Sequence, residues 1–190
     1  MPAPDSSLIG KVARQLTQAP AYAAGTGPRA SLLSVAASSY GWLSENDEYT
    51  QPTGFDPEAA RLFEAVVEGA FLVANADGDF DHTEQAAFQH VVVSACAGRV
   101  AERQVSALLA DLHDQLGEDG MKKRIEMVAR AITREDHARE VLRVSSLLAY
   151  VSGGVSAVER EVLDKLAAEF KLTNAAVEQA IEEAAHALTT

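Results

Sequence analysis

From Asp56 onward, apolar side chains recur every three or four residues with little interruption. That spacing lines one face of an α-helix. Leu62, Phe63, Val66, Val67, Ala70, Phe71 and Ala74 form one such stripe, and Val162, Leu163, Leu166, Ala167 and Phe170 form another. The pattern predicts seven helices, at about residues 57–75, 82–97, 101–116, 121–132, 135–151, 157–171 and 174–188. No window alternates with the period of two that marks a strand, so the expected class is all-α. The boundaries have local causes. Asp56 is placed to cap the first helix with Pro57 at its first position, where a missing N–H costs nothing. Gly98 is placed to stop the second helix, Gly117 and Gly120 punctuate a turn, and Thr173 is placed to cap the last helix.

Within this array a helix–loop–helix unit occurs twice, as VVEGAFLVANADGDFDHTEQAAFQHV from Val66 and as VLRVSSLLAYVSGGVSAVEREVLDKL from Val141. At an offset of 75 residues the copies share Val66/Val141, Leu72/Leu147, Ala74/Ala149, Gly78/Gly153 and Glu84/Glu159. Much of this identity is helix punctuation. Each glycine follows a helix, where a left-handed residue ends it cheaply. Asp81-x-x-Glu84 and Ser156-x-x-Glu159 each have the form of a capping box, with Phe80 and Val155 in the staple position just before. The copies differ in charge: the first loop carries Asp77, Asp79 and Asp81, and the second has serine or glycine in those places.

Residues 1–54 read differently and are expected to form an appendage to a helical domain at 55–190. They hold Pro2, Pro4, Pro20, Pro28 and Pro52, much Ala, Gly and Ser, and the single tryptophan, Trp42. Two short helices are expected, at about residues 7–18 and 30–43, separated by the breaker AYAAGTGP. The segment is too thinly apolar for a core of its own, so it is expected to be partly disordered or docked. Leu8, Ile9, Val12 and Leu16, at helical spacing, and Trp42 are its candidate partner-binding residues.

Charge narrows the class of ligand. The formal net charge is −12, with 28 acids against 16 bases. Such a chain lacks the Lys and Arg that displace counterions from nucleic acid, and anionic lipid repels it. Metal cations and basic partners fit better. With one cysteine, Cys96, an intramolecular disulfide or a thiolate cluster is excluded, and its apolar setting reads as a buried small residue. No signal peptide is legible, and no apolar run has the roughly 20 residues that span a bilayer. The expected location is the cytoplasm.

The acidic loop holds the candidate chemistry. Between Asp56 and Glu84 the chain carries eight acids and one base, Arg61. Capping accounts for Asp81 and Glu84 but not for Asp77 or Asp79, and a carboxylate near a helix C-terminus is disfavoured. Two readings remain: a solvated acidic run, or a site for a hard cation, Ca²⁺ or Mg²⁺, with oxygen ligands. The D-x-D-x-D spacing begins like an EF-hand loop, but His82 stands where the glycine belongs and Phe88 where the closing glutamate belongs, which rejects that motif.

ADGDFDHTE after AVVEGAFLVAN, repeated as VSGGVSAVE after VLRVSSLLAY, resembles the TerB tellurite-resistance family and its TerB-like relatives. The resemblance covers about residues 56–188. It implies a bundle of about seven helices with a pseudo-twofold internal duplication and an A-D-G-x-x-x-x-x-E signature. Asp77 and Glu84 match that signature in the first copy and Glu159 matches it in the second, where Ser152 replaces the aspartate. The family resemblance further implies stress response, divalent-cation binding by acidic residues, and action in protein complexes near the membrane rather than catalysis. An acidic chain without a thiol cluster is poorly suited to attract or reduce the tellurite oxyanion itself.

The remaining polar groups add little. His82 and His90 lie eight apart on one predicted helix, outside the i, i+4 spacing of a helical zinc pair, and the five histidines are expected to be exposed. Glu64 and Glu68 lie opposite the apolar stripe and read as a solvated face. The bases from Lys122 to Arg143 are expected to pair internally. No phosphate loop, nucleophile elbow or H-E-x-x-H motif is present. The sequence therefore points to a non-enzymatic, divalent-cation-binding interaction module with Asp77 and Glu84 as first ligands, supported by Asp79 and Asp81. The alternative is a metal-independent adaptor working through its N-terminal segment. A protein partner is expected, and the family resemblance implies one in a membrane-associated complex.

Overall fold

The computed structural model describes residues 6–20, 30–41 and 56–189, and among these it contains eight α-helices and no strand. They are α1 (Ser6–Thr17), α2 (Leu32–Gly41), α3 (Pro57–Ala74), α4 (His82–Ala95), α5 (Glu102–Ala131), α6 (Glu135–Ala149), α7 (Ala157–Glu169) and α8 (Asn174–Thr189), with a short 3₁₀ turn at Tyr150–Ser152 after α6. The all-α expectation holds. The helices expected at 101–116 and 121–132 are the two arms of α5, which meet at Gly120 (φ 77°, ψ 158°), a conformation open to glycine alone. Gly117 stays within the first arm.

α3 and α6 form the centre. Every residue from Ala65 to Val73 and from Glu140 to Ala149 is buried, so both helices are covered on all sides. They cross closely at Gly69, where a Cβ would lie 2.6 Å from Val141 Cγ1. Asp56 caps α3, its Oδ1 accepting from the Glu58 and Ala59 amides at 3.0 and 3.2 Å, with Pro57 behind it. Phe63, Phe71, Leu72, Leu142, Leu147, Leu163 and Leu166 are among the largest fully buried side chains.

Burial on all sides corrects the reading of Glu68. It is only 7% exposed, because the face opposite the apolar stripe is covered by α5. Arg124 compensates it: Nε and Nη2 both lie 2.6 Å from Glu68 Oε1, and Nη1 reaches Asp119 at 3.2 Å. Desolvation pushes the Glu68 carboxyl above its usual range, and the guanidinium partly offsets that. Arg134, Arg139 and Lys123 also pair within the chain, with Asp136, Glu135 and Asp119. These exposed pairs add little stability.

α1 and α2 enter the same core. Val12, Leu16, Leu33, Ala36 and Ala37 are buried in one cluster with α3 and α6. Tyr40 stacks on Phe63 with ring centroids 4.6 Å apart. Polar clamps fix both helices. Arg143 of α6, 3% exposed, pairs with Glu140 at 3.0 Å and donates to the carbonyls of Gln15 and Gln18 at 3.3 and 2.9 Å. It thereby satisfies acceptors that a helix end leaves free and places a cation at the negative end of the dipole. Ser31 Oγ donates to the Leu16 carbonyl and accepts from the Ser34 amide. Arg99 Nη1 donates to the Ser34 carbonyl and hydroxyl, both at 3.0 Å.

Gly69→Ala forces α3 and α6 apart and should destabilise the fold by about 1–3 kcal/mol, as overpacking does, read as a lower urea midpoint. Arg143→Met strands the Glu140 carboxylate and should cost about 3–5 kcal/mol, with hydrogen exchange accelerating in α1.

Candidate functional site

The two central helices end alike. α3 stops at Ala74 and α6 at Ala149, and α4 begins at His82 and α7 at Ala157, so both boundaries recur 75 residues apart. Gly78 (φ 79°) and Gly153 (φ 118°) turn the chain after them. In the first loop Asp77 Oδ1 accepts from the Asp79 amide at 3.0 Å. Asp81 Oδ1 accepts from the Thr83 and Glu84 amides at 2.7 and 2.8 Å, and Glu84 Oε2 accepts from the Asp81 amide at 3.3 Å. In the second loop Ser156 Oγ accepts from the Glu159 amide at 3.3 Å, and Glu159 Oε2 accepts from the Ser156 amide at 2.7 Å. Both capping boxes are therefore formed. Phe80 packs edge-on against Phe71 and Phe88, with centroids 5.8 Å away in each case, so the loop is anchored from beneath.

The loops face one another across an open cleft of about 570 Å³, whose lining includes Asp77, Glu84, Ser152, Gly153, Ser156 and Glu159. Asp77 and Glu84 come from the first copy and Glu159 from the second. Each of these carboxylates gives one oxygen to its own loop, and the other has no hydrogen-bond partner among the described residues. Asp79 is exposed and is not part of this lining. Asp81 lines a narrower pocket beside the cleft and is engaged as a cap. The amides of Glu84 and Thr83 hold its carboxyl below the usual aspartate range.

The available donors are oxygens, the set a hard cation takes. They are spread around the cleft: among the described residues no three His, Cys, Asp or Glu side chains stand close enough together to hold a metal ion. The cleft itself was not legible from the motif. Glu159 read as a counterpart at a second site, and only the packing of the loops brings it opposite Glu84. The shared 75-residue spacing on two central helices was the signal available.

The other candidates lie elsewhere. Val12 and Leu16 are fully buried in their own core, Leu8 and Ile9 are half-buried against it, and Trp42 lies outside the described residues. His82, His90, His113 and His186 are exposed, whereas His137 is half-buried and its pKa is lowered by that burial. Cys96 is fully buried, and desolvation pushes its thiol up to about 12. No helix of the described residues is long and apolar enough to cross a membrane.

A family model described as "Tellurite resistance protein TerB" matches residues 64–182. No curated protein and no solved structure gave a significant match.

The lowered Asp81 pKa carries a sign. Its cap contribution is fully present above the unfolded aspartate value and is lost as pH falls through the lower folded value. Asp81→Asn keeps a good capping residue without the charge. Urea midpoints of the two proteins should therefore differ most near neutrality and converge as the acid limb is descended.

Proposed function

Since the chain belongs to the TerB family, we propose that it is a non-enzymatic interaction module that binds a divalent cation in the cleft between its two loops and responds to it. The observation that carries this reading is the meeting of Asp77 and Glu84 with Glu159 around one cavity. None of these three carboxylates is paired with a cationic side chain among the described residues, and a hard cation would supply the missing positive charge. Asp77 and Glu84 would be its protein ligands, and Glu159 would add charge from the second loop. Because no third acid is clustered with them, water would fill the remaining positions, as is usual at Mg²⁺ sites. The cation would supply charge neutralisation between the two copies, at the ends of the helices that form the core. The same acidic surface, in a chain of net charge −12, suits a basic protein partner.

The test is a thermal melt in chelator against added Ca²⁺, Mg²⁺, Mn²⁺ or Zn²⁺. A ligand that binds only the folded state at 100 times its Kd stabilises by about 2.7 kcal/mol, so the midpoint should rise with Ca²⁺ or Mg²⁺. Asp77→Asn with Glu84→Gln should abolish the rise, since both substitutions keep hydrogen-bonding shape and remove charge. If no cation moves the midpoint, or the double variant responds like the parent, the cation reading fails and a metal-independent adaptor takes its place.

A further inference from the structure

The acidic cleft adjoins an apolar one. Ala74, Glu84 and Ser152 also line a narrow slot of about 40 Å³ whose walls include Phe80, Ala87, Phe88, Leu148 and Val151. Thr83 and Ala87, one helical turn apart on α4, line this slot and also a shallow groove with Ile9 of α1, Ala86 and His90. From acid to apolar, the surface runs along α4 from Glu84 toward His90, about 9 Å at 1.5 Å per residue. Phe80 and Val151 remain half-exposed at the slot, where the walls are mostly carbon. Water there has few polar partners, so an apolar group displaces it favourably.

Size and charge select the occupant. A cavity of about 150 Å³ is what admits a benzene ring, so the slot accepts an aliphatic tip and rejects an aromatic side chain. Asp77, Glu84 and Glu159 stand beside it, so a cation next to that tip gains and a phosphate or carboxylate loses. A lipid headgroup and nucleic acid are disfavoured by the same charges.

We infer that this trough docks a segment of a partner protein in which an aliphatic side chain fills the slot while an adjacent lysine or arginine meets Glu84 and Asp77. Anchor and charge play separate parts: the apolar tip supplies residence, and the basic residue supplies register and encounter rate. The inference deepens the reading of the cleft as an interaction site, but it does not require the cation.

The test is selection of a randomised 12-residue peptide library, displayed on phage, against the full chain in EDTA. The expected result is enrichment of peptides with Leu, Ile, Val or Met within one helical turn of Lys or Arg. Ala87→Leu, which places an aliphatic tip of its own in the slot, should weaken the selected peptides at least tenfold, and Glu84→Gln should weaken them severalfold. Val151→Glu, which puts a carboxylate at the slot's rim, serves as a second slot variant should Ala87→Leu fail to fold. Absence of enrichment overturns the inference, as does binding that both a folded slot variant and Glu84→Gln leave unchanged. Sedimentation showing that a second copy occupies the trough and excludes peptide overturns it too. Peptide binding in EDTA together with cation-insensitive melting would remove the cation reading and leave the docking inference standing.

Discussion

A methyl group on residue 69 would lie 2.6 Å from Val141 Cγ1, so α3 and α6 are packed too closely there for any side chain at residue 69 without a shift. That approach requires glycine on one of them and makes the pair the axis around which the other helices pack. It also fixes the functional geometry. Both helices run from the crossing to a left-handed glycine and a capped helix start, so the two loops emerge side by side. The cleft is therefore a consequence of core packing: it is held by two buried helices, two capping boxes and the anchoring of Phe80 on Phe71 and Phe88.

The buried charges serve the same organisation. Glu68–Arg124 joins α3 to α5, and Arg143–Glu140 joins α6 to the end of α1. Neither pair need add much net stability, since desolvation opposes the Coulomb gain. Their effect is on position, because each guanidinium has to find several acceptors at once and only one placement of the neighbouring helix satisfies them.

Helix locations were largely legible in the sequence because periodicity and punctuation are local. Asp56, Asp81, Ser156 and Gly120 each act within a turn of their own position, and the structure uses all four as helix boundaries. What periodicity concealed was burial on all sides. Glu68 looks solvated when only the stripe from Leu62 to Ala74 is considered, and its covering by α5 is a long-range event that no window of α3 records. The candidate site divides in the same way. Asp77 and Glu84 are visible in one loop, whereas Glu159 becomes their neighbour only through tertiary packing. The slot beside them draws on α3, α4, α6 and the 3₁₀ turn, and no single stretch of sequence announces it.

The clamp on α1 bears on where the folding unit ends. The family match spans residues 64–182, yet Val12, Leu16 and Leu33 lie in the same core as α3 and α6, and Ala184, buried in α8, lies beyond the match. A piece excised at the borders of the match would lose the Asp56 cap with the first turns of α3. It would leave the Arg143–Glu140 pair facing water where α1 had been, and it would open an apolar wall along α4. The stretch matched by the family model is thus smaller than the packed core. The segment that looked most like an accessory to this chain supplies part of what keeps that core closed.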